Sequence, residues 1–123
     1  MKFHPDSIEA QSIAGYGPDW IQVGSQRFSH SLVIGSRGEH FAWGCPRFEA
    51  LTHDHFAQLA ALRPELVVFG SGPRLRFAAP ALLQALIAAQ IGVETMDTQA
   101  ACRTYNVLAS ENRHVVAALL LET

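Results

Sequence analysis

The sequence predicts an α/β domain in which parallel strands are covered by helices on both faces. Three observations carry that reading. The run Leu66-Val67-Val68-Phe69 is short and wholly apolar, with two β-branched residues, as a strand buried on both faces must be. From Leu66 to Leu108 the pattern reads strand, glycine loop, helix, glycine stop, strand, polar turn and helix, which is one βαβα unit. The almost wholly apolar stretch His114 to Leu121 then predicts a deeply buried strand in the middle of the sheet.

Taken in order, Met1 to Pro18 mixes polar residues with Gly15, Gly17 and Pro18 and predicts an irregular arm or a short edge strand. Trp20–Val23, Ser31–Ile34 and His40–Trp43 are short alternating pieces separated by Gly24-Ser25 and Gly35-Ser36-Arg37-Gly38, and together they predict a β-meander. After Gly44-Cys45-Pro46, Thr52 is placed to cap a helix over about His53 to Leu62, with Asp54 in the first turn where a carboxylate complements the helix dipole. Phe56, Leu59, Ala60 and Leu62 recur at helical spacing in it, and Pro64 marks its end. Pro80 suits the first turn of a second helix, continued by strong helix formers to Gln90 and stopped by Gly92. Gln84 and Gln90 are its only polar residues. Burial on more than one side is therefore expected, under the N-terminal meander or against a second copy of the chain. Val93–Met96 is the next strand, and Asp97-Thr98 caps a helix with Ala101, Tyr105 and Leu108 on one face and Arg103, Asn106 and Ser110 on another. Glu111-Asn112-Arg113 turns the chain into the final strand.

Length and composition fit one domain over residues 1–123, with a β-rich part at 1–50 and the βαβα-β core at 51–123, since 123 residues at 49% hydrophobic support one core. The formal charge of −2 and the scatter of the nine Lys and Arg residues argue against nucleic acid as a partner. No apolar run reaches the ~18 residues that a membrane span needs. Met1 to Asp6 has neither an apolar signal core nor an arginine-rich transit character, so a cytoplasmic location is expected. Cys45 and Cys102 form no C-x-x-C pair and are expected to be reduced thiols, with no zinc site and no cofactor.

The combination Gly70-x-Gly72, Gly92-Val93-Glu94-x-Met96-Asp97-Thr98, Ala101-x-Arg103-Thr104-Tyr105-Asn106-x-Leu108 and Glu111-x-Arg113 resembles a domain family of unknown function. That family includes complex I (NADH dehydrogenase) assembly factor three and adipogenesis-associated domain proteins. The resemblance covers essentially the whole chain, with Trp43, the Leu51-Thr52 helix start and the Leu66 strand in the expected order. Ser71 stands where the family is expected to carry threonine, which keeps a hydroxyl. The resemblance implies a single three-layer α/β domain with a mixed central sheet and a β-rich N-terminal part. It implies no established enzymatic activity.

The candidate chemistry lies in the two strand-to-helix turns, because ligands of open α/β sheets gather at the carboxyl ends of the strands. Gly70-Ser71-Gly72-Pro73 follows a strand, so its backbone NH groups could cradle an anion. A dinucleotide fingerprint would need a glycine where Leu75 stands, and a phosphate loop would need a lysine, of which Lys2 is the only one; a structural turn is the preferred reading. Asp97 is read as a helix cap in preference to a catalytic base. Arg103 could hold a carboxylate or phosphate, or pair internally with Asp97, Glu94 or Glu111, and the internal pairing is preferred. Asn106 suits bracing of a backbone loop. Cys102 is read as a small buried hydrophobe, and His53-Asp54-His55 as no metal pair, since a spacing of two divides the rings between faces of a helix.

The functional expectation is a non-enzymatic binding or assembly-factor-like protein. Its edge, Gly70 to Arg74 and Asp97 to Asn106, would take a protein partner through Gly70, Ser71, Gly72, Asp97, Thr98, Arg103 and Asn106. The alternative is an enzyme holding a small anionic metabolite, with Arg103 as the anion ligand and Asp97 as acid or base. A homo-oligomer built on the apolar helix Ala81 to Ala89 is the third expectation.

Overall fold

A computed structural model describes residues 11–122. Along the chain run β1 (Ile13–Gly17), β2 (Trp20–Val23), β3 (Gln26–Phe28), β4 (Leu32–Gly35), β5 (His40–Ala42), α1 (His53–Ala61) and β6 (Leu66–Gly70). They are followed by α2 (Gln84–Ala88), β7 (Gly92–Met96), α3 (Thr98–Ser110) and β8 (Val115–Leu119). The strands β1-β2-β3 form a small antiparallel sheet. The other five form a mixed sheet in the order β5-β4-β8-β6-β7, with β6 parallel to β7 and β8, and β4 antiparallel to β5 and β8.

Alternation along the central strands sorts the core into two layers. Val67, Phe69, Val116, Ala118 and Leu120 point to the side packed with Trp43, Phe56, Leu59 and Leu86, the side of α1 and α2. Val68, Val115, Ala117 and Leu119 point to the other side, where Ala101, Cys102 and Tyr105 of α3 meet Ile13 and Ile21 of the small sheet. The domain is therefore three-layered, α1 and α2 on one face of the mixed sheet and α3 with the small sheet on the other. The strand β8 lies between β4 and β6 and is buried at every position, in the middle of the sheet as its composition predicts.

Two local expectations need correction. Trp20 to Trp43 is not one meander. At Gly24 (φ 60) the chain turns from β2 into β3, and Val23 pairs with Gln26; Gln26-Arg27-Phe28 is too short and polar to show as a strand by pattern. The pieces at Leu32 and His40 instead join the main sheet. Of the irregular arm or short edge strand expected over Met1 to Pro18, residues 1–10 lie outside the described residues, and Ile13–Gly17 is β1, a short strand at the edge of the small sheet as expected.

The helix expected from Ala81 to Gln90 is a 3-10 turn, Pro80–Leu83, followed by the short α2. Nor does Gly92 stop it. The chain leaves α2 in a Schellman motif with Gln90 at φ 59, where Ile91 N–H donates to Leu86 O (2.9 Å) and Gln90 N–H to Ile87 O (3.0 Å); Gly92 already begins β7. Leu86 is the one buried residue of α2, and the small sheet packs on the opposite face of the mixed sheet. The N-terminal strands do not cover it.

The α1 side is anchored by aromatic rings. Phe56 is fully buried, edge-on to Trp43 (5.7 Å) and Phe69 (5.4 Å), and the Trp43 indole N–H donates to His55 O at 3.2 Å. Phe56→Ala should cost about 3–5 kcal/mol of unfolding free energy in a urea titration, by lost transfer energy plus the cavity left behind. Val107→Ala, at a position 58% exposed on α3, should stay within about 0.5 kcal/mol.

Candidate functional site

The strands β6, β7 and β8 are parallel, so their carboxyl ends share one edge. The chain leaves β6 toward the α2 layer and β7 toward the α3 layer, and such a divergence opens a crevice between neighbouring strand ends. Gly70, Ser71, Gly72, Asp97 and Thr98 meet there. The crevice is closed by the protein's own bonds. Ser71 N–H donates to Met96 O (2.8 Å), Thr98 N–H to Gly72 O (2.9 Å) and Leu120 N–H to Gly70 O (3.0 Å). The Thr98 hydroxyl accepts from Gly72 N–H (2.9 Å) and donates to Leu120 O (2.7 Å). The Ser71 hydroxyl accepts from Arg76 N–H (2.9 Å) and has Arg74 O (2.7 Å) and Met96 O (3.2 Å) as acceptors for its proton. The NH groups of Ser71 and Gly72, which an anion cradle would use, are thus already engaged.

Asp97 caps α3, its Oδ1 accepting from Ala100 N–H at 3.0 Å. Arg103 and Asn106 lie apart from the crevice, farther along α3, where they hold β1. The Asn106 amide brackets Ile13, accepting from its N–H (2.8 Å) and donating to its carbonyl (2.9 Å). Arg103 donates to the Tyr16 hydroxyl at 3.0 Å, and no carboxylate pairs with it within 4.0 Å among the described residues. The expected pairing with Asp97, Glu94 or Glu111 does not form. Tyr16, 87 positions away, takes its place.

Two residues of this edge carry no signal in the linear sequence. Arg76 is largely buried and donates to Ser71 O from both Nε (3.1 Å) and Nη2 (2.6 Å). It also pairs with Glu122 (2.7 Å) and lies 4.7 Å over the Phe48 ring. Glu122 in turn accepts from Phe48 N–H at 2.6 Å. Gly72 sits at φ +98, a conformation that favours glycine, and a Cβ there would come within 2.4 Å of the Arg76 guanidinium and force it to shift.

Outside these bonds lies a cleft of about 270 Å³, bordered by Pro18, Gly72, Asp97, Thr98, Gln99 and Glu122. A second cleft of about 270 Å³ opens beside the end of β8, between His30-Ser31 and Cys45. Both cysteines are buried. Burial pushes the Cys45 thiol up, and pushes Cys102 up to about 12. His55 accepts from Thr52 N–H at the start of α1 (3.0 Å), while His53 sits 3.8 Å from Asp54. No group of three or more His, Cys, Asp or Glu gathers for a metal among the described residues.

The fold is that of an Mth938-like α/β domain. A Bordetella pertussis protein described as a Mth938-like domain, solved by NMR, superposes with a TM-score of 0.84 at 33% identity, over 99% of this chain and 93% of that one. A Bordetella parapertussis crystal structure gives 0.86 at 38%, over 92% and 97%. The chain belongs to the family described as protein of unknown function (DUF498/DUF598), which matches residues 13–120. It is 38% identical to human NADH dehydrogenase [ubiquinone] 1 alpha subcomplex assembly factor 3, over 94% of this chain and 63% of that protein. It therefore spans less than two thirds of that relative's length. An uncharacterized protein of Rhodobacter capsulatus is 32% identical over 94% of this chain and 89% of its own. No helix among the described residues is long and apolar enough to cross a membrane.

Thr98→Val should destabilise the domain by about 2–4 kcal/mol, because it leaves the Gly72 N–H and the Leu120 carbonyl buried without partners. Thr98→Ser keeps the hydroxyl and should cost about 1 kcal/mol or less in the same denaturant titration. The Cys102 thiol should stay unreactive toward Ellman's reagent at pH 8 until the protein unfolds. Since its folded pKa is raised from 9.0 to about 12, the stability linked to it is present below pH 9 and falls as pH rises toward 12. Cys102→Ala should make that alkaline fall shallower in thermal melts.

Proposed function

We propose that this chain is a non-enzymatic, assembly-factor-like binding protein. Its docking edge is the strand-end surface from Gly70 to Arg74 and from Asp97 to Asn106. The observation that carries the reading is the 38% identity, over 94% of this chain, to a protein named as an assembly factor for NADH dehydrogenase. The crevice chemistry supports it. Ser71 and Thr98 spend their hydroxyls on backbone groups, and Asp97 spends its carboxylate on a helix cap, so these side chains hold a surface in shape. Outward of them, Pro73 and Arg74 are exposed and Gln99 is half-buried, available to a partner without rearrangement of the core. A cytoplasmic setting accompanies the reading on composition, and cell fractionation tests it separately.

The anionic-metabolite alternative finds less support. Its two cradle NH groups are engaged, Arg103 faces Tyr16, and the cleft beside Gly72 is bordered by the carboxylates of Asp97 and Glu122.

Affinity capture of the tagged chain followed by quantitative mass spectrometry tests the docking edge. Arg74→Ala and Gln99→Ala should each lower recovery of the specific partners about tenfold, the equivalent of ~1.4 kcal/mol. Far-UV circular dichroism should stay native. Undiminished recovery by both variants would refute the edge as the docking surface.

A further inference from the structure

The cleft of about 270 Å³ beside Gly72 has a wall poor in hydrogen-bond donors. Pro18 and Pro73 have no N–H. Gly72 N–H is given to the Thr98 hydroxyl (2.9 Å), Thr98 N–H to Gly72 O (2.9 Å) and Leu120 N–H to Gly70 O (3.0 Å), while the hydroxyl proton of Thr98 goes to Leu120 O (2.7 Å). Apart from the Gln99 amide, the unspent side-chain groups of the wall are acceptors. Asp97 uses Oδ1 on Ala100 N–H (3.0 Å), and Glu122 uses Oε2 on Arg76 (2.7 Å) and on Phe48 N–H (2.6 Å). Asp97 Oδ2 and Glu122 Oε1 have no hydrogen-bond or ion-pair partner among the described residues. Arg76 offsets the Glu122 charge from the Oε2 side, and the start of α3 offsets about half of the Asp97 charge, which leaves the cleft negative.

We propose that this cleft receives a basic side chain, lysine or arginine, of the protein that docks on the edge. Its aliphatic stem lies against Pro18 and Pro73, and its cationic head bonds to Asp97 Oδ2 and Glu122 Oε1. The inference rests on the docking edge proposed above and names the chemistry that the edge recognises. Ammonium and guanidinium groups are donors only, so they match a wall whose free groups are acceptors and bring no acceptor of their own to leave unsatisfied. The other occupants fit worse. A carboxylate or phosphate would meet two carboxylates across the cleft, and a neutral apolar side chain would take both free oxygens out of water with nothing to bond them.

Agmatine, which carries a guanidinium and an ammonium on one aliphatic stem, is the probe, titrated into the isotope-labelled full chain and followed in two-dimensional amide NMR spectra. Saturable shifts should appear at Gly72, Asp97, Thr98 and Gln99, with a Kd on the order of 1–10 mM at low salt, as suits a small isolated ligand. The binding should weaken as ionic strength rises. Phosphate and n-butyramide should leave those amides in place. Asp97→Asn keeps an oxygen for the α3 cap, and Glu122→Gln keeps an acceptor for Arg76 and Phe48 N–H, so both should stay folded by circular dichroism while each raises the agmatine Kd at least about threefold. No saturable shift with agmatine, shifts of equal size with phosphate or n-butyramide, or an unchanged Kd in both variants would overturn the inference. Arg74 does not border the cleft, so a chain that loses its partners through Arg74→Ala and yet ignores agmatine keeps the docking edge and loses only the basic side chain.

Discussion

The hydroxyl of Thr98 holds together the place where this fold is hardest to close. Three chain segments leave the mixed sheet at one edge: β6 toward the α2 layer, β7 toward α3, and β8 toward the C-terminal residues. Diverging strands stop satisfying one another's backbone groups, and a buried unpaired group costs on the order of 1–3 kcal/mol. A hydroxyl answers this because it donates and accepts at once. Thr98 takes the Gly72 N–H and gives its proton to the Leu120 carbonyl, so one side chain on α3 joins the ends of β6 and β8. The approach is close enough that a Cβ on Gly70 would lie 3.0 Å from the Thr98 backbone, which accounts for glycine at that position.

The outer bonds build on that closure. With Ser71 fixed, its carbonyl becomes the acceptor for Arg76, and the guanidinium is then placed to reach Glu122 and lie over Phe48. An ion pair this buried has to recover the cost of leaving water through additional hydrogen bonds. Here the planar guanidinium directs two N–H donors at one carbonyl and another at a carboxylate that itself receives the Phe48 N–H. The loop after β6, the 3-10 turn at Phe48–Ala50 and the end of the chain are thereby tied into one rigid corner.

What could be read from the sequence followed the range of the forces involved. The elements α1, β6, β7, α3 and β8 announce themselves because periodicity and capping act over a few residues, and the Asp97 cap is of that kind. Strand partnership is not local. Nothing in Trp20 to Trp43 says that β2 turns back onto a polar three-residue strand while β4 crosses to pair with β8. The end of α2 escapes a local reading because Gln90 adopts the left-handed conformation that glycine would adopt more easily. The fate of Arg103 could not be read locally either, since its acids are near in sequence while Tyr16 is near in space. The family motif includes Met96-Asp97-Thr98 without indicating that Thr98, in place of Asp97, carries most of the bonds of that turn.

The closed crevice also bears on what kind of ligand this edge can take. A small anion seated on the glycine loop would have to displace the Thr98 hydroxyl from Gly72 N–H, exchanging one hydrogen bond for another. Such exchanges are worth only about 0.5–1.5 kcal/mol net. The displaced hydroxyl would also give up its geometry toward Leu120. A protein partner faces no such exchange, because it contacts side chains already outside the stitched layer and gains from excluding water over a broad area. With the Ser71 and Thr98 hydroxyls bonded to backbone groups, the side chains at this edge hold the crevice closed.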